Sequence, residues 1–136
     1  MDKSSLSGQQ FLSLFFATSV LNNDCIIEEM EFEKKLYKLY FNQEYSIFFR
    51  NLVAKPMKEE KYNYVNLKKE FESHKAIRVI SELDDNNKYF ISLSNDEAKA
   101  IRSRYPLFYL IKMEKLFSQL NEVTKENNKV KVKTLG

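Results

Sequence analysis

The sequence predicts a mainly α-helical fold of a single domain with one β-hairpin laid against the helices. Amphipathic segments with helical spacing occupy most of the chain, whereas only residues 77–94 show strand-like alternation around a polar turn. The two glycines, Gly8 and Gly136, lie near the chain ends, so tight turns that need a positive φ are scarce. A chain of 136 residues suits one core. We expect one globular domain over residues 1–126 and a basic, flexible tail over 127–136.

The first half of the chain is predicted to be helical throughout. Residues 7–21 form a first helix whose apolar residues cover much of its circumference, which indicates burial on more than one side. A second helix opens near Asp24 or Cys25, with acidic residues early and lysines late, as suits the helix dipole. Over 28–54 two interpretations stay open: one long helix, or two helices with the second capped by Asn42.

The middle of the chain combines a loop, a short helix and the hairpin. Residues 55–64 are predicted to be the main loop, since Pro56 biases the residue before it away from helix. A short helix capped by Asn66 follows, to about residue 75. Residues 77–83 and 88–94 are the strands of the hairpin, because apolar residues alternate with polar ones in both.

Two helices are predicted after the hairpin. Ser94 and Glu97 form a capping box, the Ser/Thr-x-x-Glu pattern that opens a helix. Pro106 then ends that helix and starts the last one, which is predicted to run to about Lys125.

Composition and charge limit the class of protein. There are 22 Lys and Arg against 19 Asp and Glu, a net charge of +3 that neither requires nor excludes nucleic acid. A single cysteine, Cys25, excludes an internal disulfide and indicates a reducing compartment. The apolar run at 11–21 is shorter than the roughly 20 residues that span a bilayer. We therefore expect a soluble cytoplasmic protein with no membrane partner.

Few residues suit catalysis, metals or cofactors. His74 is the sole histidine, so His-based catalytic groups would depend on it alone, and an end-of-helix position is the simpler interpretation. With glycine only near the ends, the sequence has no phosphate loop or dinucleotide-binding motif. The acidic residues at 28–33 are typical of a solvated first helical turn, and 84–87 lacks the glycine and glutamate of a calcium loop. We predict no enzyme, no metal and no cofactor.

Basic residues around the hairpin give the one functional signal. The predicted contacts to nucleic-acid phosphates lie on or beside the helix that precedes the hairpin, or flank its turn: Lys68, Lys69, Lys75, Arg78 and Lys88. His74 lies on the same helix and is a further candidate. Acidic neighbours dilute the positive field, and an acidic hairpin tip at Asp84 and Asp85 would be repelled by phosphate.

The segment Lys-Tyr-Phe-Ile-Ser-Leu-Ser-Asn-Asp-Glu-Ala at 88–98 resembles the wing-to-helix junction of bacterial winged-helix regulators of the MarR and PadR kinds. In those families a strand ending in Tyr-x-Leu-Thr leads into a capped helix, and a long C-terminal helix that dimerises commonly follows. The resemblance covers about a third of the chain. This sequence departs from it at Glu97 and at Asn86–Asn87, where those families usually have glycine. The resemblance implies a winged-helix-like fold and transfers no base-reading residues.

The leading prediction is a small cytoplasmic DNA-binding or transcription-regulatory protein from a phage or mobile element, acting on double-stranded DNA as a homo-oligomer. The residues predicted to form the dimer interface lie on the last helix: Tyr109, Met113, Leu116, Phe117 and Leu120. The alternative is a protein-interaction module, such as an antitoxin, inhibitor or adaptor. Eleven Phe and eight Tyr motivate it, because this number of aromatic residues exceeds what a small core readily buries.

Overall fold

A computed structural model describes the backbone of residues 5–57, 62–83 and 87–135, and the side chains of 5–54, 63–83 and 87–122. Within these residues the fold is mainly α, as the sequence predicts. The helices are α1 (Gly8–Leu21), α2 (Glu29–Leu39), α3 (Ser46–Phe49), α4 (Lys68–Ala76), α5 (Asn95–Arg102) and α6 (Leu107–Leu135). The strands are β1 (Ile26–Glu28), β2 (Val53–Met57), β3 (Tyr62–Asn66), β4 (Ile80–Glu82) and β5 (Lys88–Ile91).

Helix α1 is the centre of the core. A capping box opens it, in which the Ser7 hydroxyl accepts from the Gln10 amide and the Gln10 side chain accepts from the Ser7 amide. Its Phe11 and Phe16 side chains are fully buried, and the helix contacts α4, α5 and α6. Asn23, with φ 62°, turns the chain out of the helix. The predicted burial of α1 on several sides is therefore confirmed.

The predicted hairpin belongs to a three-stranded antiparallel sheet with strand order β1–β5–β4. Ile26 of β1 pairs with Phe90, and Ile80 of β4 pairs with Ile91. The strand β1 corrects the prediction that a helix opens near residues 24 and 25. The reason lies in the tertiary structure. One edge of β5 pairs with β4, and the backbone N–H and C=O groups of its other edge need partners. Strand β1 supplies these partners and buries Ile27 beside the inward-facing residues of the sheet.

A second hairpin, β2–β3, occupies the segment predicted to be the main loop. Val53 pairs with Asn66 and Pro56 with Asn63. The prediction of a single hairpin is therefore wrong. Strand β3 packs on α2 and buries Val65, which stabilises the ribbon in a way that the local sequence does not reveal. Proline is tolerated because a two-stranded ribbon leaves alternate N–H groups outside the ladder.

Residues 28–54 form separate helices, so the interpretation as one long helix is wrong. Helix α2 ends at Leu39, and a 3₁₀ turn at Gln43–Tyr45 leads into α3. The Asn42 side chain accepts from the Glu44 amide at 3.0 Å, the capping role that the sequence predicts. Phe41, which lies between α2 and the 3₁₀ turn, is 73% exposed and does not face the core.

Helix α5 begins with the predicted capping box, in which Ser94 and Glu97 exchange hydrogen bonds. Helix α6 runs to Leu135, well past the predicted end at Lys125, so the predicted basic tail continues a helix over 127–135. The predicted flexibility of this part stays a prediction.

The apolar stripe of α6 belongs to the core of the chain itself. Four of the five residues predicted to form a dimer interface are buried: Met113, Leu116, Phe117 and Leu120. The ring of Phe117 lies 5.8 Å from that of Phe15 of α1. This burial corrects the interface prediction, because side chains covered within one chain have no surface to offer a partner. Tyr109 is partly exposed.

Candidate nucleic-acid interface

The start of α4 is held from outside the helix. Leu67 is its N-cap and offers no side-chain acceptor. Instead, the Leu67 amide donates to the Glu33 carboxylate of α2 at 2.8 Å, and the Lys68 amide donates to the Asn66 side chain at 3.2 Å. These bonds satisfy amides that a helix cannot pair internally. The Asn66 side chain has the predicted capping role, although Asn66 lies one residue before the N-cap position of the helix.

The inner face of α4 is anchored in the aromatic core. Phe71 and His74 are buried, and their rings lie 5.9 and 5.3 Å from that of Phe16. His74 Nδ1 lies 2.7 Å from the Glu70 carbonyl oxygen. Burial lowers the pKa of His74, which disfavours the charged form of the ring. His74 lies in the last turn of α4, as the end-of-helix interpretation predicts, but its side chain is buried and does not offer a surface to DNA.

The end of α4 is a Schellman turn built around Arg78. The Val79 amide donates to the His74 carbonyl at 2.9 Å, and the Arg78 amide donates to the Lys75 carbonyl at 3.1 Å. Arg78 has φ 64°, a left-handed conformation that usually belongs to glycine. This turn leads directly from α4 into β4 and leaves the Arg78 side chain exposed.

The five predicted basic residues divide into two groups. Lys68 and Lys69 are exposed in the first turn of α4, and Arg78 is exposed at its far end. Lys75 is instead hydrogen-bonded to Glu82 of β4 at 2.6 Å, an interaction that raises the pKa of Lys75. Lys88 lies opposite Glu28 in the register of β1 and β5. Phosphate would therefore compete with carboxylates for Lys75 and Lys88, and also for Lys68, whose charge acts on Glu29, but less so for Lys69 and Arg78.

One flank of α4 is acidic. A cleft of ≈ 430 Å³ separates α2 and β3 from α4 and the β4–β5 hairpin, and it is lined by four carboxylates: Glu29, Glu33, Glu72 and Glu82. Burial, followed by repulsion from Glu72, raises the pKa of Glu29. Glu29 and Glu33 lie far from α4 in sequence, and the burial of Glu33 corrects the prediction that the acidic residues at 28–33 are solvated. No local signal could have placed these two residues here.

Among the described residues, no three His, Cys, Asp or Glu side chains lie close enough together to hold a metal ion. The described helices include none that is long and apolar enough to cross a membrane. Comparison of the chain with protein-family models, with curated proteins and with solved structures finds no match.

Proposed function

We propose that this chain is a winged-helix-like regulator that binds double-stranded DNA, with α4 as the helix that enters the major groove and the β4–β5 hairpin as the wing. One observation carries the proposal: α4, with an exposed lysine pair at its N-terminal end, leads directly into a hairpin braced by a third strand. In helix-turn-helix proteins the N-terminal residues of the recognition helix contact the bases. The resemblance of residues 88–98 to a winged-helix junction supports the same arrangement.

The bracing by β1 is a physical requirement of this proposal. A two-stranded hairpin alone is at best marginally stable in water. Strand β1 pairs with β5 over three residues, and its Glu29 neighbour donates its amide to the Asn87 carbonyl at 3.0 Å. The β5 side of the hairpin is thereby paired with β1, while β4, the edge strand, contacts α4. A wing held in this way can contact the DNA backbone at a fixed distance from the groove-binding helix.

The charge distribution favours binding through one side of α4. Lys68 and Lys69 add their charges to the positive end of the helix dipole, where phosphates bind well. Arg78 supplies a further cation at the other end of the helix. The carboxylates of the cleft, which Lys68 also lines, repel phosphate, so the DNA would approach the exposed N-terminal end of α4 from the side of Lys69. The role proposed for these residues is binding, without catalysis.

The test is fluorescence anisotropy with a random-sequence duplex at two salt concentrations. The variant Lys68→Gln/Lys69→Gln removes both lysines, while Lys38→Gln/Lys99→Gln removes the same charge from exposed sites on α2 and α5. We expect the first variant to bind at least about ten-fold more weakly and to lose about 2 from the salt slope, roughly 1 per phosphate contact. Absence of wild-type binding at low salt, or equal losses in both variants, would refute DNA binding through α4.

A second candidate function is self-association. It keeps the predicted homo-oligomer but places the interface at the start of α6. Three apolar side chains at the start of α6 face solvent: Leu107 is 69% exposed, Phe108 55% and Ile111 59%. A continuous exposed apolar patch often marks a protein interface. Size-exclusion chromatography with light scattering, which measures the molar mass of the full chain in solution, tests this candidate. Dimers that Phe108→Ser/Ile111→Ser converts to monomers would support it, and a monomeric wild type would contradict it.

The cellular context is also part of the proposal. We infer a cytoplasmic location from the single, partly buried cysteine, Cys25, because free thiols persist in reducing compartments. A phage or mobile-element origin fits the Lys-, Asn- and Ile-rich composition. Expression of the tagged chain in its host would test the proposed location.

A further inference from the structure

The N-cap position of α4 lacks the oxygen-bearing side chain that normally stabilises a helix start. A helix begins best with an oxygen-bearing side chain at the N-cap and acidic residues in the first turn. Here the N-cap is Leu67, and the first two helical residues, Lys68 and Lys69, precede the acidic residue of the first turn, Glu70. Two cations beside the positive end of the helix dipole repel it. The Leu67 amide therefore takes its acceptor from elsewhere in the chain, while the Lys68 amide is bonded to the neighbouring Asn66.

Glu33 supplies that acceptor from α2, 34 residues earlier in the sequence. Its Oε2 accepts the hydrogen bond from the Leu67 amide at 2.8 Å, and the residue is only 6% exposed. The other acceptor at this end, the Asn66 side chain, forms a longer and exposed bond at 3.2 Å. A charge-assisted hydrogen bond in a buried site is stronger than an exposed neutral one. Glu33 therefore ties the start of α4 to α2.

We propose that Glu33 is the positioning residue of α4: its side-chain oxygen holds the lysine-bearing end of α4 against α2 through the Leu67 amide. The inference rests on the proposed function in one respect, namely that α4 is the helix that meets DNA. The tie between Glu33 and Leu67 can be tested without DNA.

The surroundings of Glu33 bring its titration close to neutral pH. Charged and titratable groups share its cleft or face it from each packed element: Glu29 of α2, Tyr64 of β3, Lys68, Glu70 and Glu72 of α4, Glu82 of β4 and Tyr89 of β5. Burial, assisted by repulsion from Glu29 and Glu70, raises the pKa of Glu33 to about 7 against the opposing effect of the Leu67 hydrogen bond. Small pH changes therefore alter the charge of this acceptor.

The first experiment is a pH titration of the full chain by ¹H–¹⁵N NMR between pH 5 and pH 9, which follows the Leu67 amide. In the wild type we expect its proton shift to change with a midpoint near 7, the pKa of the carboxyl that it contacts. In Glu33→Gln the transition should disappear, because the amide oxygen still accepts the bond but does not titrate. A wild-type Leu67 amide whose proton shift shows no transition between pH 5 and pH 9 would overturn the proposal.

The second measurement is hydrogen exchange of the same amide. Glu33→Ala removes the acceptor, and we expect Leu67 to exchange at least about ten-fold faster, as loss of a hydrogen bond to a charged group implies. Glu33→Gln should stay within about three-fold of the wild type. Glu31→Ala is the matched control, since it removes an exposed acid from the same helix. Equal protection in Glu33→Ala and wild type would overturn the proposal.

The DNA readout separates this proposal from the proposed function. If wild type binds duplex DNA, we expect Glu33→Ala to bind at least about five-fold more weakly and Glu33→Gln to bind within about two-fold of wild type. Unchanged affinity in Glu33→Ala would overturn the positioning role. If wild type does not bind DNA at all, the proposed function fails, while the two NMR measurements still decide whether Glu33 holds α4.

Discussion

The Lys75 ammonium group lies 2.6 Å from the Glu82 carboxylate and joins the last turn of α4 to the first strand of the hairpin. Both side chains are substantially exposed, so water and salt screen the pair. Its consequence for function is local: the bond removes one cation from the surface available to phosphate, and it places a carboxylate at the base of the proposed wing.

Replacing Glu82 with Gln should strengthen DNA binding. The substitution releases Lys75 and removes a negative charge from the hairpin, so we expect the affinity for a random duplex to rise about two- to five-fold at low salt. The midpoint of thermal unfolding should hardly change, because exposed ion pairs contribute little. Anisotropy and circular dichroism measure the two effects. A weaker complex with unchanged stability would mean that Glu82 itself contacts the DNA.

Arg78→Gly should separate stability from binding. Arg78 has a left-handed backbone with φ 64°, which glycine adopts without the steric cost of a Cβ atom. We expect the free energy of unfolding to rise by about 0.5–1 kcal/mol in urea denaturation. We expect DNA affinity to fall, since the variant loses a cation beside α4. Arg78→Ala is the control, because it loses the same charge without relieving the backbone.

Glu33→Gln should change the pH dependence of stability. The pKa of Glu33 is raised from 4.5 to about 7 in the folded chain, so the native state binds more protons than the unfolded state between these values. Wild-type stability contributed by this group is therefore present below about pH 4.5 and is lost as the pH rises through about 7. At pH 8 we expect Glu33→Gln to be more stable by about 1–3 kcal/mol. At pH 5 the two proteins should differ little.

The effect of His74 on the pH dependence of stability is opposite to that of Glu33. His74 is present in both the wild type and Glu33→Gln, so its effect cancels in their difference. Its pKa is lowered from 6.5, so its stabilising contribution is present above that pH and is lost on acidification. Urea denaturation at several pH values therefore isolates Glu33 through the difference between variant and wild type. Identical pH profiles for the two proteins would show that Glu33 is not the group responsible.

Phe16→Ala should destabilise the chain more than any surface aromatic substitution. Phe16 is fully buried in α1 and its ring contacts those of Phe71 and His74. We expect a loss of about 3–5 kcal/mol in the free energy of unfolding, typical of a large aromatic residue replaced in a core. Phe41→Ala is the control, since Phe41 is 73% exposed, and it should cost less than about 1 kcal/mol. Chemical denaturation of both variants provides the measurement.

The sequence by itself determined the features that depend on near neighbours. The two capping residues Ser94 and Asn42, the burial of α1, and the order of a short helix followed by a hairpin all agree with the structure. Each depends on residues within a few positions of one another, where hydrogen bonds and periodicity are visible locally. The placement of Lys68 and Lys69 on the helix before the hairpin was predictable for the same reason.

Only the tertiary structure decided the remaining features, because each depends on a partner distant in the chain. Strand β1 forms against β5, and the hairpin β2–β3 is stabilised by α2. The apolar stripe of α6 could have faced either a second chain or the core, and packing against α1 decided for the core. The Glu33–Leu67 hydrogen bond joins groups 34 residues apart. The sequence predicts an amphipathic surface, but which neighbour covers that surface is a property of the folded chain.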